Sequence, residues 1–88
     1  MTTEEKIRTF IYDNFLYDDS NNHLKNEDSF LDTGILDSTG VMELVSFIEE
    51  NFGFHVEDSE LVPENLDSIK AVMEYIERKQ NNNAAVAR

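Results

Sequence analysis

A stripe of apolar residues at helical spacing in the middle of the chain sets the strongest limit on the fold. Val41, Leu44, Val45, Ile48 and Phe52 recur at i, i+3, i+4, i+7 and i+11, the pattern that lines one face of an α-helix. Gly53 follows directly, and glycine readily takes the left-handed conformation that ends many helices. At the other end stand Asp37 and Ser38, residue types that cap helix N-termini. These signals predict a helix over about 38–51. Its apolar face has to be covered by other elements of the same chain.

The flanking segments supply them. Thr2 and Glu5 fit a capping box, and Ile7, Phe10, Ile11 and Phe15 follow at helical spacing, predicting a first helix over about 3–17. Asp18-Asp19-Ser20-Asn21-Asn22 breaks it, because these side chains compete for local backbone. A long connection over 18–37 follows, with Leu24, Phe30, Leu31, Ile35 and Leu36 as apolar anchors. Phe54-His55-Val56 reads as a short extended link. Leu61, Val62 and Leu66 around Pro63 suggest a short third helix or turn between about 59 and 66, in either of two registers. Asp67 is placed to cap a fourth helix carrying Ile69, Val72, Met73 and Ile76, with Arg78 and Lys79 favourable to its C-terminal dipole. Gln80 to Arg88 has no core-forming pattern. The expected architecture is all-α: a small four-helix bundle over 1–79 with one short third helix and a long loop between helices 1 and 2, then a disordered tail over 80–88.

Size and charge narrow the function. A chain of 88 residues buries roughly 60% of the surface it exposes unfolded, enough for one core but not for a deep, dry active site as well. Seven basic against nineteen acidic side chains give a net charge of −12. That balance argues against nucleic acid and anionic membranes, which need Lys and Arg on one face. It favours basic partner proteins, which the field would steer into encounter. The absence of cysteine excludes a disulfide framework, thiolate metal sites and a protein thiol nucleophile. No signal peptide, lipidation motif or membrane-length apolar run is visible, so a cytoplasmic location without membrane insertion is expected.

Ser38 is the residue with most to offer chemically. An Asp-Ser pair before a helix is ordinarily a capping element. If Asp37 caps, Ser38 becomes the first helical residue with its hydroxyl outward; a one-residue shift makes Ser38 the cap instead. In the first arrangement a phosphate-linked group on Ser38 would face free backbone N–H groups and the positive end of the helix dipole. Such a serine reads as an attachment point, not a nucleophile. His23 and His55, the two histidines, have no neighbours resembling a triad or a metal set and read as exposed loop residues. A calcium loop started at Asp18 fails, with His23 where glycine is required and Ser29 where the bidentate glutamate belongs. No metal site is expected. Gly40 either permits close approach of a partner or is merely tolerated in a first turn. Met42, one turn after Ser38, reads as rim packing or as an adaptable gate to the interior. Asp37, Glu43, Glu49 and Glu50 make an acidic face, with Glu49 nearer the edge of the apolar stripe.

In this order, these elements resemble the acyl carrier protein family over about residues 3–79. The resemblance rests on Asp28-Ser29-Phe30 in the loop, Asp37-Ser38 at the helix start and Val41-Met42-Glu43-Leu44-Val45 within it. Glu49-Glu50-Asn51-Phe52-Gly53 is similar to the family's acidic-aromatic helix end, and Ile69-Lys70-Ala71-Val72-Met73-Glu74-Tyr75-Ile76 to its last helix. Two departures stand out. Thr39 and Gly40 follow the Asp-Ser pair where the usual motif continues with leucine. The approach Gly34-Ile35-Leu36-Asp37 is spelled more like D-alanyl and other specialised carriers than the housekeeping fatty-acid carrier.

The resemblance implies a non-catalytic carrier. Ser38 would bear 4′-phosphopantetheine from coenzyme A, flanked by Asp37, and the arm's thiol would hold acyl or aminoacyl groups as thioesters. Partners would be a phosphopantetheinyl transferase, a loading ligase and a downstream transferase or synthase with basic docking surfaces. They would meet a monomer through Asp37, Val41, Glu43, Ser46, Glu49 and Glu50. Phe30, Leu44, Val45, Ile48 and Val72 would line an interior where an acyl chain shelters, with Met42 at its entrance. The alternative is an acidic interaction module in a carrier-like fold that is never loaded.

Overall fold

The computed structural model describes residues 2–15 and 24–86, with side chains as far as Asn81. Four α-helices follow in order: α1 over Thr3–Phe15, α2 over Ser38–Phe52, α3 over Pro63–Leu66 and α4 over Ile69–Val86, with a 3-10 turn at Asp58–Glu60 between α2 and α3. The all-α four-helix architecture with a short third helix matches the sequence expectation. Segment 18–22, His23 and the expected last turn of helix 1 lie outside the described residues.

Local chemistry accounts for most boundaries. The Thr2–Glu5 capping box forms in full: Thr2 N–H donates to Glu5 Oε1 at 2.9 Å, and Glu5 N–H to Thr2 Oγ1 at 3.1 Å. Gly53 ends α2 at φ 75°, its N–H donating to the Glu49 carbonyl at 3.3 Å. Pro63 occupies the first turn of α3, where its missing N–H costs nothing; that settles the register.

Two expectations about α4 are corrected. Its N-cap is Ser68, whose Oγ accepts from Ala71 N–H at 3.0 Å, while Asp67 closes the C-terminus of α3. The helix also continues to Val86, past the expected end at 79. No glycine or proline follows Lys79 to stop it, and Ala84 and Ala85 are strong helix formers. Arg78 and Lys79 are therefore interior to the helix and bond sideways. Arg78 donates to Asn65 Oδ1 at 2.6 Å, and Lys79 Nζ lies 3.1 Å from both carboxylate oxygens of Glu60. Tyr75 donates its hydroxyl to the same carboxylate at 2.9 Å.

α4 packs against each of the other three helices. The core combines Ile7 and Ile11 of α1, Leu44, Val45 and Ile48 of α2, Leu66 of α3, and Ile69, Val72, Tyr75 and Ile76 of α4. Each fully buried aliphatic side chain contributes roughly 1.5–3 kcal/mol of burial. The loop donates Leu24, Phe30 and Leu36, while Ile35 packs at the edge. Leu31, expected as a fifth anchor, is 49% exposed. Phe30 turns inward, and its immediate neighbour is thereby turned out.

Two staples hold the loop in place of secondary structure of its own. Arg8 reaches from α1 to the Leu24 carbonyl at 2.7 Å and to the Asn26 side chain, while Lys70 N–H donates to the Asn26 carbonyl at 2.9 Å. Asp67 supplies the second staple: its carbonyl accepts from Phe30 N–H at 2.7 Å, and its carboxylate accepts from Leu31 N–H at 2.9 Å and from the Ser29 hydroxyl. The second staple leads directly into the start of α2.

Candidate functional site

Asp37 is the N-cap of α2. Its backbone is extended at φ −107°, its carboxylate accepts from Gly40 N–H at 2.8 Å, and its carbonyl accepts from Val41 N–H at 2.9 Å. Ser38 is therefore the first helical residue, exposed, and its hydroxyl takes no part in a hydrogen bond among the described residues. Of the two readings the sequence left open, the structure takes the one that frees the serine. Gly40 is buried beneath Leu36 and Phe15; what approaches it closely is its own chain and not the partner the sequence suggested.

Ser38 opens onto a groove of about 250 Å³ between the start of α2 and the segment around α3. Leu31, Val41, Leu61, Val62, Pro63 and Leu66 form its apolar walls, and Asp67 and Ser38 are its polar residues. A phosphate-linked arm on Ser38 fits this arrangement: the hydroxyl is accessible, the first-turn N–H groups of α2 lack helical partners, and an apolar channel lies alongside.

The expected interior set lies in the bundle interior, apart from the groove. Phe30, Leu44, Val45, Ile48 and Val72 are all buried in the packed core, and none lines the groove. Met42 is 52% exposed. One turn beyond Ser38, it shares the serine's outward face, while the stripe through Val41, Leu44, Val45, Ile48 and Phe52 turns to the bundle. The groove walls from α3 and its approach were missed because Leu61, Val62 and Leu66 read simply as core. The proline beside them, which opens α3 at Pro63 and leaves Leu61 and Val62 outside any helix, was the available signal.

The acidic face is smaller than the sequence suggested. Asp37, Glu43, Ser46 and Glu50 are exposed, and Val41 is half-buried beside them. Glu49 is engaged within the chain. After the turn at Gly53 the backbone passes back along α2, so that Val56 N–H donates to Glu49 Oε2 at 2.8 Å and His55 Nδ1 lies 3.0 Å from it. His55 is otherwise exposed, as expected.

Comparison with known proteins gives this geometry its context. Residues 16–76 match the phosphopantetheine attachment site family. The chain is 37% identical over 81 residues to a D-alanyl carrier protein of Streptococcus uberis, spanning 92% of this chain and 99% of that protein. It is 38% identical over 48 residues to a D-alanyl carrier protein of Abiotrophia defectiva, spanning 54% of this chain and 61% of that one. Among solved structures, a holo acyl carrier protein of Nitrosomonas europaea superposes with a TM-score of 0.73 at 23% identity, over 92% of this chain and 99% of that one; this likeness concerns the fold. The chain belongs to the phosphopantetheine attachment family and is a carrier, not an enzyme, with 4′-phosphopantetheine as its prosthetic group.

Proposed function

We propose that Ser38 bears the phosphopantetheine arm and that the cargo is a small aminoacyl group, D-alanine being the first to test. The observation that carries the site assignment is the Asp37 cap, which leaves the Ser38 hydroxyl exposed at the mouth of an apolar groove. When bound, the prosthetic group supplies the thiol that this cysteine-free chain lacks, and cargo is held on it as a thioester. The cargo reading is supported by the likeness to a D-alanyl carrier protein across almost its full length.

Carrier proteins take their arm from coenzyme A through a phosphopantetheinyl transferase. In our reading, residues 1–79 form the carrier domain, which acts in the cytoplasm as a monomer. It meets that transferase, an aminoacyl-loading ligase and a downstream transferase through Asp37, Val41, Glu43, Ser46 and Glu50. Basic residues on those enzymes would pair with the carboxylates, adding mainly to encounter rate. Nothing in this reading calls for nucleic acid. Among the described residues no helix is long and apolar enough to cross a membrane.

Intact-protein mass spectrometry tests both steps. Incubation with coenzyme A, Mg²⁺ and a promiscuous transferase is expected to add one phosphopantetheine mass to the wild type and none to Ser38→Ala; addition to Ser38→Ala would move the arm elsewhere. The loaded carrier, given D-alanine, ATP and a D-alanine-activating ligase, is expected to gain one D-alanyl mass that hydroxylamine removes. Acceptance of long fatty acyl groups with refusal of D-alanine would overturn the cargo assignment.

A further inference from the structure

Asp67 lies between two parts of the molecule that have to agree. Asp67 lines the same groove as Ser38, and both of its carboxylate oxygens are engaged with the long loop, one by Leu31 N–H at 2.9 Å and the other by the Ser29 hydroxyl. Its carbonyl takes Phe30 N–H at 2.7 Å. Three successive loop residues are thus tied to one residue at the α3–α4 junction. Order passes onward from there. The Phe30 carbonyl accepts from Ile35 N–H at 2.9 Å and from Leu36 N–H at 3.3 Å, Leu36 is buried against Gly40, and Asp37 and Ser38 follow at once. The Ser29 hydroxyl also accepts from Asp32 N–H at 3.0 Å, so the turn is fixed on both sides.

We infer that Asp67 is a positioning residue for the loading of Ser38: it holds Leu31 in the groove wall and, through the turn that follows, the approach to α2 on which a transferase has to dock. The inference rests on Ser38 being the attachment site. Its kinetic signature follows from population. If the staple is cut, the loop spends only part of its time in the docking arrangement, and apparent affinity falls by that fraction. Once docked, the chemistry is unaltered, so the turnover number is kept.

The test compares wild type, Asp67→Ala, Asp67→Asn and Ser29→Ala in phosphopantetheine transfer from coenzyme A, with the carrier as the varied substrate. Asp67→Ala is expected to raise the KM for the carrier by roughly fivefold to tenfold with kcat within about twofold. Asp67→Asn keeps an acceptor for Leu31 N–H and a polar partner for Ser29, and is expected to restore most of the loss. Ser29→Ala removes one bond and is expected to fall between. A folded Asp67→Ala chain with unchanged KM would overturn the inference, as would a loss confined to kcat. If Asp67→Ala does not fold cooperatively, Ser29→Ala decides by the same criterion. Should wild type accept no arm, the failure belongs to the Ser38 assignment. The inference is then decided by amide exchange at Leu31 and the chemical shift of Ser38 in Ser29→Ala and Asp67→Asn. Coupled change in Ser29→Ala, with Asp67→Asn near wild type, supports the staple. An unmoved Ser38 in Ser29→Ala overturns it.

Discussion

A methyl group added at Gly40 would stand 3.2 Å from Phe15 Cε1 and 3.1 Å from Leu36 Cδ2, closer than carbon atoms comfortably approach. The glycine in the first turn of α2 is therefore where α1 and the loop close over the helix start. Gly40→Ala gains helix propensity of up to about 1 kcal/mol but crowds a packed contact, which typically costs about 1–3 kcal/mol. Crowding is expected to win by about 1 kcal/mol, read as a lower urea midpoint. A rise in the midpoint would mean that Phe15 and Leu36 yield freely.

Asp37→Ala removes the acceptor for Gly40 N–H and is expected to cost about 1 kcal/mol, the usual worth of such a cap. Amide exchange in the first turn of α2 is expected to speed up more than elsewhere in the helix. Uniform exchange along α2 would show that the cap does not govern that turn.

Glu43 and Glu49 are expected to part company when mutated. Glu43 is exposed with no ion-pair partner among the described residues, so Glu43→Lys is expected to leave the urea midpoint nearly unchanged. It is expected to slow transfer of the arm or cargo at low salt, with the deficit shrinking as salt is added. Glu49→Ala strips Val56 N–H of its acceptor and is expected to cost about 1 kcal/mol in stability. Equal effects of both variants on transfer rate, with none on stability, would contradict the separation seen here.

The junction of α4 with the 3-10 turn gives a pH signature. Burial works to raise the Glu60 pKa, but hydrogen bonds from Glu57 N–H, Lys79 and Tyr75, with the Lys79 charge, outweigh it and hold the group below its usual 4.5. A depressed carboxylate stabilises the fold above its unfolded pKa, and this is lost as pH falls through the folded value. Tyr75 runs the other way: burial first, then the hydrogen bond to Glu60 and its charge, raise the phenol well above its usual 10. Its contribution is complete below pH 10 and is lost as pH rises through the folded value. Glu60→Gln is expected to flatten the decline in stability below pH 4.5, and Tyr75→Phe the decline above pH 10. Tyr75→Phe is also expected to cost about 1–2 kcal/mol near neutrality, because the ring stays packed on Phe54 at 5.7 Å while the buried donor is lost. Unchanged limbs in both variants would detach this cluster from the pH response.

Periodicity and capping chemistry are local, and what they govern was legible. Thr2 and Glu5 lie three residues apart, and the α2 stripe and Gly53 declare themselves within one helix. Legibility fails where a side chain finds its partner far along the chain. Asp67 and Ser68 are both competent caps on paper, and Ser29 and Leu31, 38 and 36 residues away, remove Asp67 from the competition. Glu49 reads as surface until the return past Gly53 brings Val56 over it. Met42 is apolar at a position one step off the stripe, on its flank, where rim packing and a gate were both open readings. At the serine itself, Asp37 and Ser38 are both competent caps, and the sequence left the register open. The buried Gly40, whose N–H is taken by Asp37, settles it.

The division of labour between those two neighbours has a consequence for the life of the protein. Folding spends Asp37 and leaves Ser38 uncommitted, so attaching or stripping a group there breaks no bond that holds the helix. Loaded chains are therefore expected to unfold at a urea concentration no lower than bare ones, since the arm's phosphate lies at the positive end of the α2 dipole. Each molecule could then be recharged many times over without passing through an unfolded state, its fold never weakened by its load.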